Sequence, residues 1–248
     1  MYYLGLDVGS SSVKAAIVDA KSGKSILSVH EPKNEMGINS LNNDWAEQDP
    51  NMWWKYTCDA IKRVCKESNV DSKKIGSIGI SYQMHGLVVV DKNGSPLRDS
   101  IIWCDSRAVN IGNEAFEKLG QKKCMSHLLN SPGNFTASKL KWVKDNEPNI
   151  YEKIYKYMLP GDFIAYKLTG EINTTRNGLS EGIIWDYKNN STADWLLDHY
   201  GIDSNLTPDL VDNFSNQGTT NLKSSNETGL NVGVPITYRA GDQPNNAL

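Results

Sequence analysis

The chain holds 248 residues, and 26 Lys and Arg against 29 Asp and Glu leave a formal net charge of −3. At roughly 150 residues per domain this is one large domain or two small ones, and a chain of this length buries roughly three quarters of its unfolded surface without a disulfide or metal staple. A composition of 39% hydrophobic and 22% charged residues excludes a disordered chain, a collagen and a coiled coil, and the near-neutral balance argues against nucleic acid as a partner.

Tyr2 to Leu6 reads as a short buried strand ending at Asp7, and Gly9 to Ser12 as a tight turn. Val13 to Val18 follows as a strand with Val13, Ala15 and Ile17 on one face, and Ser25 to Val29 as a third strand. The chain therefore opens as an antiparallel meander and not as a βαβ unit. Residues 31–48 are polar and irregular. Asp49 followed by Pro50 predicts a helix start, with Trp54, Cys58, Ile61 and Cys65 at helical spacing on its buried side. Lys74 to Tyr82 reads as a strand whose glycines suit the close packing of a crossing helix. Leu87 to Val90 and Ile101 to Trp103 are short strands around an Asp91 to Gly94 turn.

From Ser106 to Asn173 the chain reads as mainly helical. Leu140 and Val143 mark one helix, Pro148 opens the next, Met158-Leu159 is strand, and Asp162 is the N-cap of a short helix closed by Gly170. Residues 201–230, rich in Asn, Ser and Thr, read as irregular connections. Val232 to Tyr238 is the last strand, with Gly241-Asp242 shortly after it. No apolar run approaches the roughly eighteen residues of a membrane span, and no basic leader precedes Asp7, so neither a membrane partner nor a signal peptide is expected. Cys58, Cys65, Cys104 and Cys124 form no CxxC pair, which predicts reduced thiols and a cytoplasmic protein.

Four short constellations can carry chemistry, and each also has a plain structural reading. Asp7, Gly9, Ser10, Ser11, Ser12 and Lys14 fall within eight residues. Such a turn can cradle phosphate oxygens with Asp7 holding Mg²⁺ through water, or it can be an ordinary hairpin turn. Gln83-Met84-His85-Gly86 closes a buried strand, where His85 can hydrogen-bond a polyol, Met84 can pack on its carbons and Gly86 permits close approach. The alternative is a half-buried turn histidine. Asp105 and Arg107 can meet hydroxyls with Trp103 as an apolar wall, or the three can be a core tryptophan beside a surface ion pair. Asp242, after Gly241 and a strand, is placed for a general base or for a helix N-cap. The histidines show no metal spacing, and GxSxG is absent.

The order and spacing of these marks resemble the N-terminal half of an FGGY-family carbohydrate kinase, and within that family the xylulokinases. The resemblance runs through Leu4 to Lys14, Trp45-Ala46-Glu47-Gln48-Asp49-Pro50, Trp53-Trp54, Gln83 to Gly86, Ile102 to Arg107, Thr136-Ala137-Ser138-Lys139-Leu140, Leu159-Pro160-Gly161-Asp162, Leu168 to Glu171 and Gly241-Asp242-Gln243. It implies an α/β actin-like, ribonuclease H-like lobe with a mixed central sheet flanked by helices. Residues 1–241 would form a sugar-binding lobe, and 242–248 the start of a connection to a second, ATP-binding lobe.

The implied activity is ATP-dependent phosphorylation of a ketopentose, D-xylulose to D-xylulose 5-phosphate, with ATP and Mg²⁺. Asp242 would be the base, Asp7 and Asp242 would hold the metal through water, and Gly9, Ser10, Ser11, Ser12 and Lys14 would face the phosphates. Gln83, Met84, His85, Trp103, Asp105, Arg107 and Gln243 would meet the sugar. The implied partners are the ketose and ATP, and a homodimer is compatible with the resemblance. Glycerol kinases carry an Arg-Glu pair where Met84-His85 stand. Two departures keep other ketoses and polyols open, and a non-catalytic sugar-binding protein on the same fold is a further alternative whose only support is the absent second lobe. Gln243-Pro244-Asn245-Asn246 replaces an Asn followed by alanines, and residues 174–180 lack the usual Asp-x-Ser spacing.

Overall fold

The computed structural model describes residues 1–246. Its centre is a five-stranded mixed sheet. Strands β1 (Tyr2–Val8), β2 (Val13–Asp19) and β3 (Ser25–Glu31) form the expected antiparallel meander. Leu4, Leu6 and Val8 alternate inward on β1, as do Val13, Ala15 and Ile17 on β2, which fixes the register because a one-residue slip would turn the apolar set to solvent. Helix α1 (Pro50–Ser68) starts where Asp49 accepts a hydrogen bond from the Asn51 N–H at 2.8 Å. Its buried side includes Trp53, Trp54, Cys58, Ile61 and Val64. Removing a fully buried side chain such as Trp53 costs about 3–5 kcal/mol.

Strand β4 (Ile75–Tyr82) returns parallel to β1. The glycines of β4 do not receive a helix as expected: a Cβ on Gly79 would touch nothing, and one on Gly76 would meet the Met1 side chain. The close contact is made from the helix side. A Cβ on Gly161 would lie 2.0 Å from the Tyr82 ring, so glycine lets its helix settle on the strand end.

The region from Ser106 to Asn173 is mainly helical, with α2 (Thr136–Asn146) and α3 (Pro160–Thr169) as its functional members. Asp162 is not the N-cap of α3. It sits one turn in and accepts from the Leu159 N–H at 3.3 Å, because Pro160 occupies the first helical position. Helix α4 (Arg176–Glu181) follows. Residues 201–230 are more regular than expected. Asp209–Val211 pairs parallel with Asn173–Thr175, and Leu222–Thr228 is a helix capped reciprocally by Asn221 and Ser224. Strand β5 (Ile236–Gly241) begins later than expected and joins β4 in parallel, giving the order β5-β4-β1-β2-β3.

Two apolar cores result. One packs α1 and α3 against the central sheet, and the other gathers α2 and neighbouring helices around Leu140, Trp185 and Leu196. The strand Val88–Val90 joins them: Val88 and Val90 face the first core, Val89 the second. All four cysteines are free, and among the described residues no helix is long and apolar enough to cross a membrane.

Candidate active site

Three parallel strands end at one edge of the sheet. Asp7 lies opposite Ser81, and Tyr82 opposite both Val8 and Gly241. That register sets Asp7, Gln83 and Asp242 side by side, at the carboxyl edge where open α/β sheets place ligands. Asp242 opens the short helix α5 (Asp242–Asn246) directly after β5. The expected connection, residues 242–248, thus begins as helix, and residues 247–248 lie outside the described residues.

Two cavities meet at this edge. The larger, about 620 Å³, is lined by Asp7, Gly9, Ser10, Ser11 and Lys14 from the first hairpin, together with Asn245. The smaller, about 290 Å³, is lined by Met84, His85 and Gln243. Gln83, Trp103 and Asp242 line both. The hairpin turn is held largely by its backbone: Gly9 N–H donates to the Ser12 carbonyl at 3.0 Å, Met36 N–H to the Ser11 carbonyl at 2.8 Å, and Gln48 Nε2 to the Ser10 carbonyl at 2.7 Å. Ser12 supplies that carbonyl to the turn and is not on the cavity wall, so its expected place facing phosphate is not what the geometry gives. Lys14 Nζ lies 3.0 Å from Asp7 Oδ2 across the hairpin.

The smaller cavity has a more rigid wall. His85 adopts φ 61°, a left-handed conformation, and three neighbours hold it there. Its Nδ1–H donates to the Glu181 carbonyl at 2.9 Å, its ring meets Phe135 edge-on at 4.6 Å, and its own carbonyl accepts from Lys139 Nζ at 2.9 Å. Burial lowers the His85 pKa, so the ring is neutral near pH 7 and Nε2 is left as an acceptor. Gly86 does not open room for a ligand: a Cβ there would lie 2.7 Å from the Pro160 ring.

Two residues that the sequence reading passed over as chemistry complete this wall. Lys139, fully buried on α2, donates to the carbonyls of His85 and Ile102, each at 2.9 Å, and so ties the Met84-His85 corner to the Trp103 segment. Burial depresses its pKa to about 7. Glu181, buried at the end of α4, packs beneath Gly241. A Cβ on Gly241 would lie 2.2 Å from Glu181 Oε2 and 2.4 Å from Met84 Cγ, so only glycine fits before Asp242. Burial, with Asp162 and Asp242 nearby, raises the Glu181 pKa well above the carboxylate range. Lys139 lies within the family-like segment Thr136 to Leu140, its only trace in sequence; Glu181 leaves none. Arg239, fully buried on β5, fixes the strand that carries Asp242. Its Nε lies 2.9 Å from Asp162 Oδ1, and its Nη2 donates to the Asn173 carbonyl at 2.8 Å.

Asp105 and Arg107 do not wall a sugar. Asp105 is fully buried and accepts from the Ala46 N–H at 2.7 Å and from Arg107 Nη2 at 2.6 Å. Arg107 lies 2.6 Å from Glu47 Oε1 and stacks 3.8 Å over the Trp45 ring. Arg98 joins Glu47 to Glu147 in the same cluster. A buried ion network consumes both groups, and neither lines either cavity. It is a buried pair rather than the surface pair that was the alternative. Trp103, half exposed, does face both cavities, and its Nε1 donates to Ser10 Oγ at 3.2 Å.

Asp7 and Asp242 on one cavity, with serine hydroxyls nearby, form a donor set suited to Mg²⁺. That ion keeps several waters and takes one or two carboxylates plus phosphate oxygens. Among the described residues no three His, Cys, Asp or Glu side chains gather as a metal cage, so any such ion would rely on water and ligand for its remaining bonds.

The sequence profile described as the FGGY family of carbohydrate kinases, N-terminal domain, matches residues 2–248. Xylulose kinase of Staphylococcus xylosus is 31% identical over 97% of this chain and 48% of its own length. Xylulose kinase of Bacillus subtilis is 30% identical over 92% of this chain and 45% of its own length. The crystal structure of xylulose kinase from Rhodospirillum rubrum superposes with a TM-score of 0.92 at 23% identity, covering all of this chain and 50% of that one. This likeness carries the fold, an actin-like α/β lobe with a mixed central sheet. The chain spans about half the length of the curated relatives it matches. On these findings the chain belongs to the FGGY family of carbohydrate kinases and corresponds to its N-terminal domain.

Proposed function

We propose that this chain is the sugar-binding lobe of an ATP-dependent kinase that phosphorylates a ketopentose, D-xylulose being the substrate the relatives favour. In this reading residues 1–241 form the lobe, and residues 242–248 start a connection toward a second lobe that carries the nucleotide. The observation that carries the reading is the position of Asp242 at the junction of the two cavities. A base there reaches a hydroxyl held in the smaller cavity at the face a phosphoryl group would approach from the larger one.

The ketose lies against Met84, with His85 Nε2 accepting from a hydroxyl and Trp103 and Gln243 closing the opening. Asp242 takes the proton of the attacking hydroxyl as the new O–P bond forms and the leaving ADP oxygen departs. The backbone of the Gly9 to Ser11 turn and Lys14 hold phosphate oxygens. Mg²⁺, held by Asp7 and Asp242 through water, would neutralise charge on the phosphates. Catalysis of this kind is mainly positioning and charge neutralisation.

The test is a coupled ADP-release assay with D-xylulose, run on this chain and on the protein extended to its relatives' length. The extended protein should turn over and the chain alone should not, although it should bind the ketose. A chain that binds ketose but whose extended form transfers no phosphoryl group would support instead a non-catalytic sugar-binding protein.

A further inference from the structure

Among the described residues that line both cavities, Gln83 is the buried one, and its side chain has no partner within the protein. It is only 3% exposed, and neither its Nε2 nor its Oε1 has a hydrogen-bond partner. Its backbone is fixed, since Gln83 N–H donates to the Val8 carbonyl at 2.9 Å as β4 ends. A buried amide left unpaired at both ends is destabilising, so a position that keeps one is matched to a ligand that supplies both partners. Gln83 lines both cavities, together with Asp242 and Trp103. The partners it meets are therefore those present where a sugar hydroxyl and a phosphoryl group come together.

An amide differs from its neighbours there in presenting two opposite faces. The carbonyl oxygen only accepts, which suits a sugar hydroxyl. The NH₂ only donates, which suits a phosphoryl oxygen. Asp242 cannot offer a donor while ionised, and Trp103 offers only the indole N–H, already given to Ser10 Oγ. We propose that Gln83 is a catalytic residue that bridges the two substrates, its Oε1 accepting from a ketose hydroxyl and its Nε2 donating to the phosphoryl group in transfer. This rests on the kinase reading above and adds to it a named donor at the point of transfer. No bond to Gln83 forms or breaks, and the proton still passes from the attacking hydroxyl to Asp242.

The test measures binding of D-xylulose and of D-xylulose 5-phosphate to this chain by calorimetry, in wild type and in Gln83→Glu, Gln83→Met and Gln83→Asn. Thermal melts accompany each variant. Gln83→Glu keeps an acceptor and replaces the donor with negative charge. D-Xylulose affinity should stay within about threefold, and affinity for the phosphate ester should fall by about thirtyfold or more, as expected when a donor to a charged group becomes a like charge. Gln83→Met removes both faces and should weaken both ligands by about tenfold or more. Gln83→Asn, one methylene short, should fall between the two.

Folded variants whose affinities match wild type for both ligands would overturn the bridge and make Gln83 a hydrated structural amide. A Gln83→Glu variant that loses both ligands equally would also overturn it, by placing the amide wholly in the sugar pocket. Loss of the fold in all three variants would assign the amide to the sheet edge and likewise overturn the proposal. Wild type that binds neither ligand overturns the kinase reading itself, a result distinct from all of these.

Discussion

The turn at Gly9 to Ser12 and the wall around His85 border the same opening and are built in opposite ways. The turn is contiguous in sequence, joins two neighbouring strands and leaves its charged pair, Lys14 and Asp7, open to solvent with side chains 59% and 38% exposed. The wall draws on β4, α2, α4 and β5 and fixes its members with buried groups: Lys139 on two carbonyls, Glu181 beneath Gly241, Arg239 on Asp162. The ligands proposed for each side would account for the difference. A phosphate is recognised by charge and by backbone N–H groups, and exposed residues on a short turn suffice. A neutral ketose is distinguished from its isomers only by hydroxyl positions. That requires polar groups held at fixed points in a dry pocket, where an unmet partner is costly.

The largest effect that would sharpen this contrast falls outside both cavities. Asp105→Ala leaves Arg107 buried beside Glu47 with its main partner gone, and breaking a buried pair in this way costs about 3–5 kcal/mol. Chemical denaturation should show that loss, while D-xylulose affinity of the folded fraction stays within about threefold, because neither residue lines the pocket. A selective loss of ketose binding with unchanged stability would return Asp105 to the sugar site.

On the turn side, Asp7→Asn in the extended protein should lower kcat by about 10²–10³, the scale for removing one group that stabilises transition-state charge. Ketose affinity should barely move, and a collapse of ketose binding at normal kcat would place Asp7 in the pocket instead. On the wall side, His85→Ala should weaken D-xylulose by about 1–3 kcal/mol, the cost of a buried partner lost. Unchanged affinity in calorimetry would show that His85 makes no sugar contact.

The smallest effect is a pH signature of Lys139. Its folded pKa of about 7 lies below the ordinary lysine value because burial disfavours the ammonium. Between the folded value and the unfolded one, the unfolded chain binds more protons, and stability therefore rises with pH. The stability difference between wild type and Lys139→Met should accordingly shift in favour of wild type as pH climbs from about 7 toward 10. Melts across that range measure it, and a difference that stays flat would contradict a depressed pKa at this amine.

How much of this was legible in the sequence follows the same division. The first hairpin could be read because Leu4, Leu6 and Val8 against Val13, Ala15 and Ile17 alternate with a period of two, and because its polar residues are neighbours in the chain. The start of α1 was legible in Asp49-Pro50 for the same local reason. The wall was only half legible. Met84 and His85 stood out at a strand end, yet the groups that fix them come from 54 and 96 positions away. A lysine or glutamate on a helix normally reads as solvated surface, since these residues are rarely buried without a partner. Asp105 and Arg107 misled because, two positions apart, they read either as a surface ion pair or as a pair facing a ligand. Glu47 and the Ala46 N–H, some 60 residues earlier, drew them inward instead. Asp162 misled more mildly: a carboxylate near a helix start was recognised, but Pro160 set the first turn three residues sooner.

The division of binding from chemistry falls, in the proposed reading, at Asp242, where the two cavities meet. It is tested most directly by the paired measurement of D-xylulose affinity and D-xylulose-dependent ADP release in Asp242→Asn of the extended protein. Ketose affinity should stay within about fivefold of wild type while turnover falls by about 10²–10⁴, the range for loss of a general base. Turnover that survives the substitution within about tenfold, with ketose still bound, would contradict it.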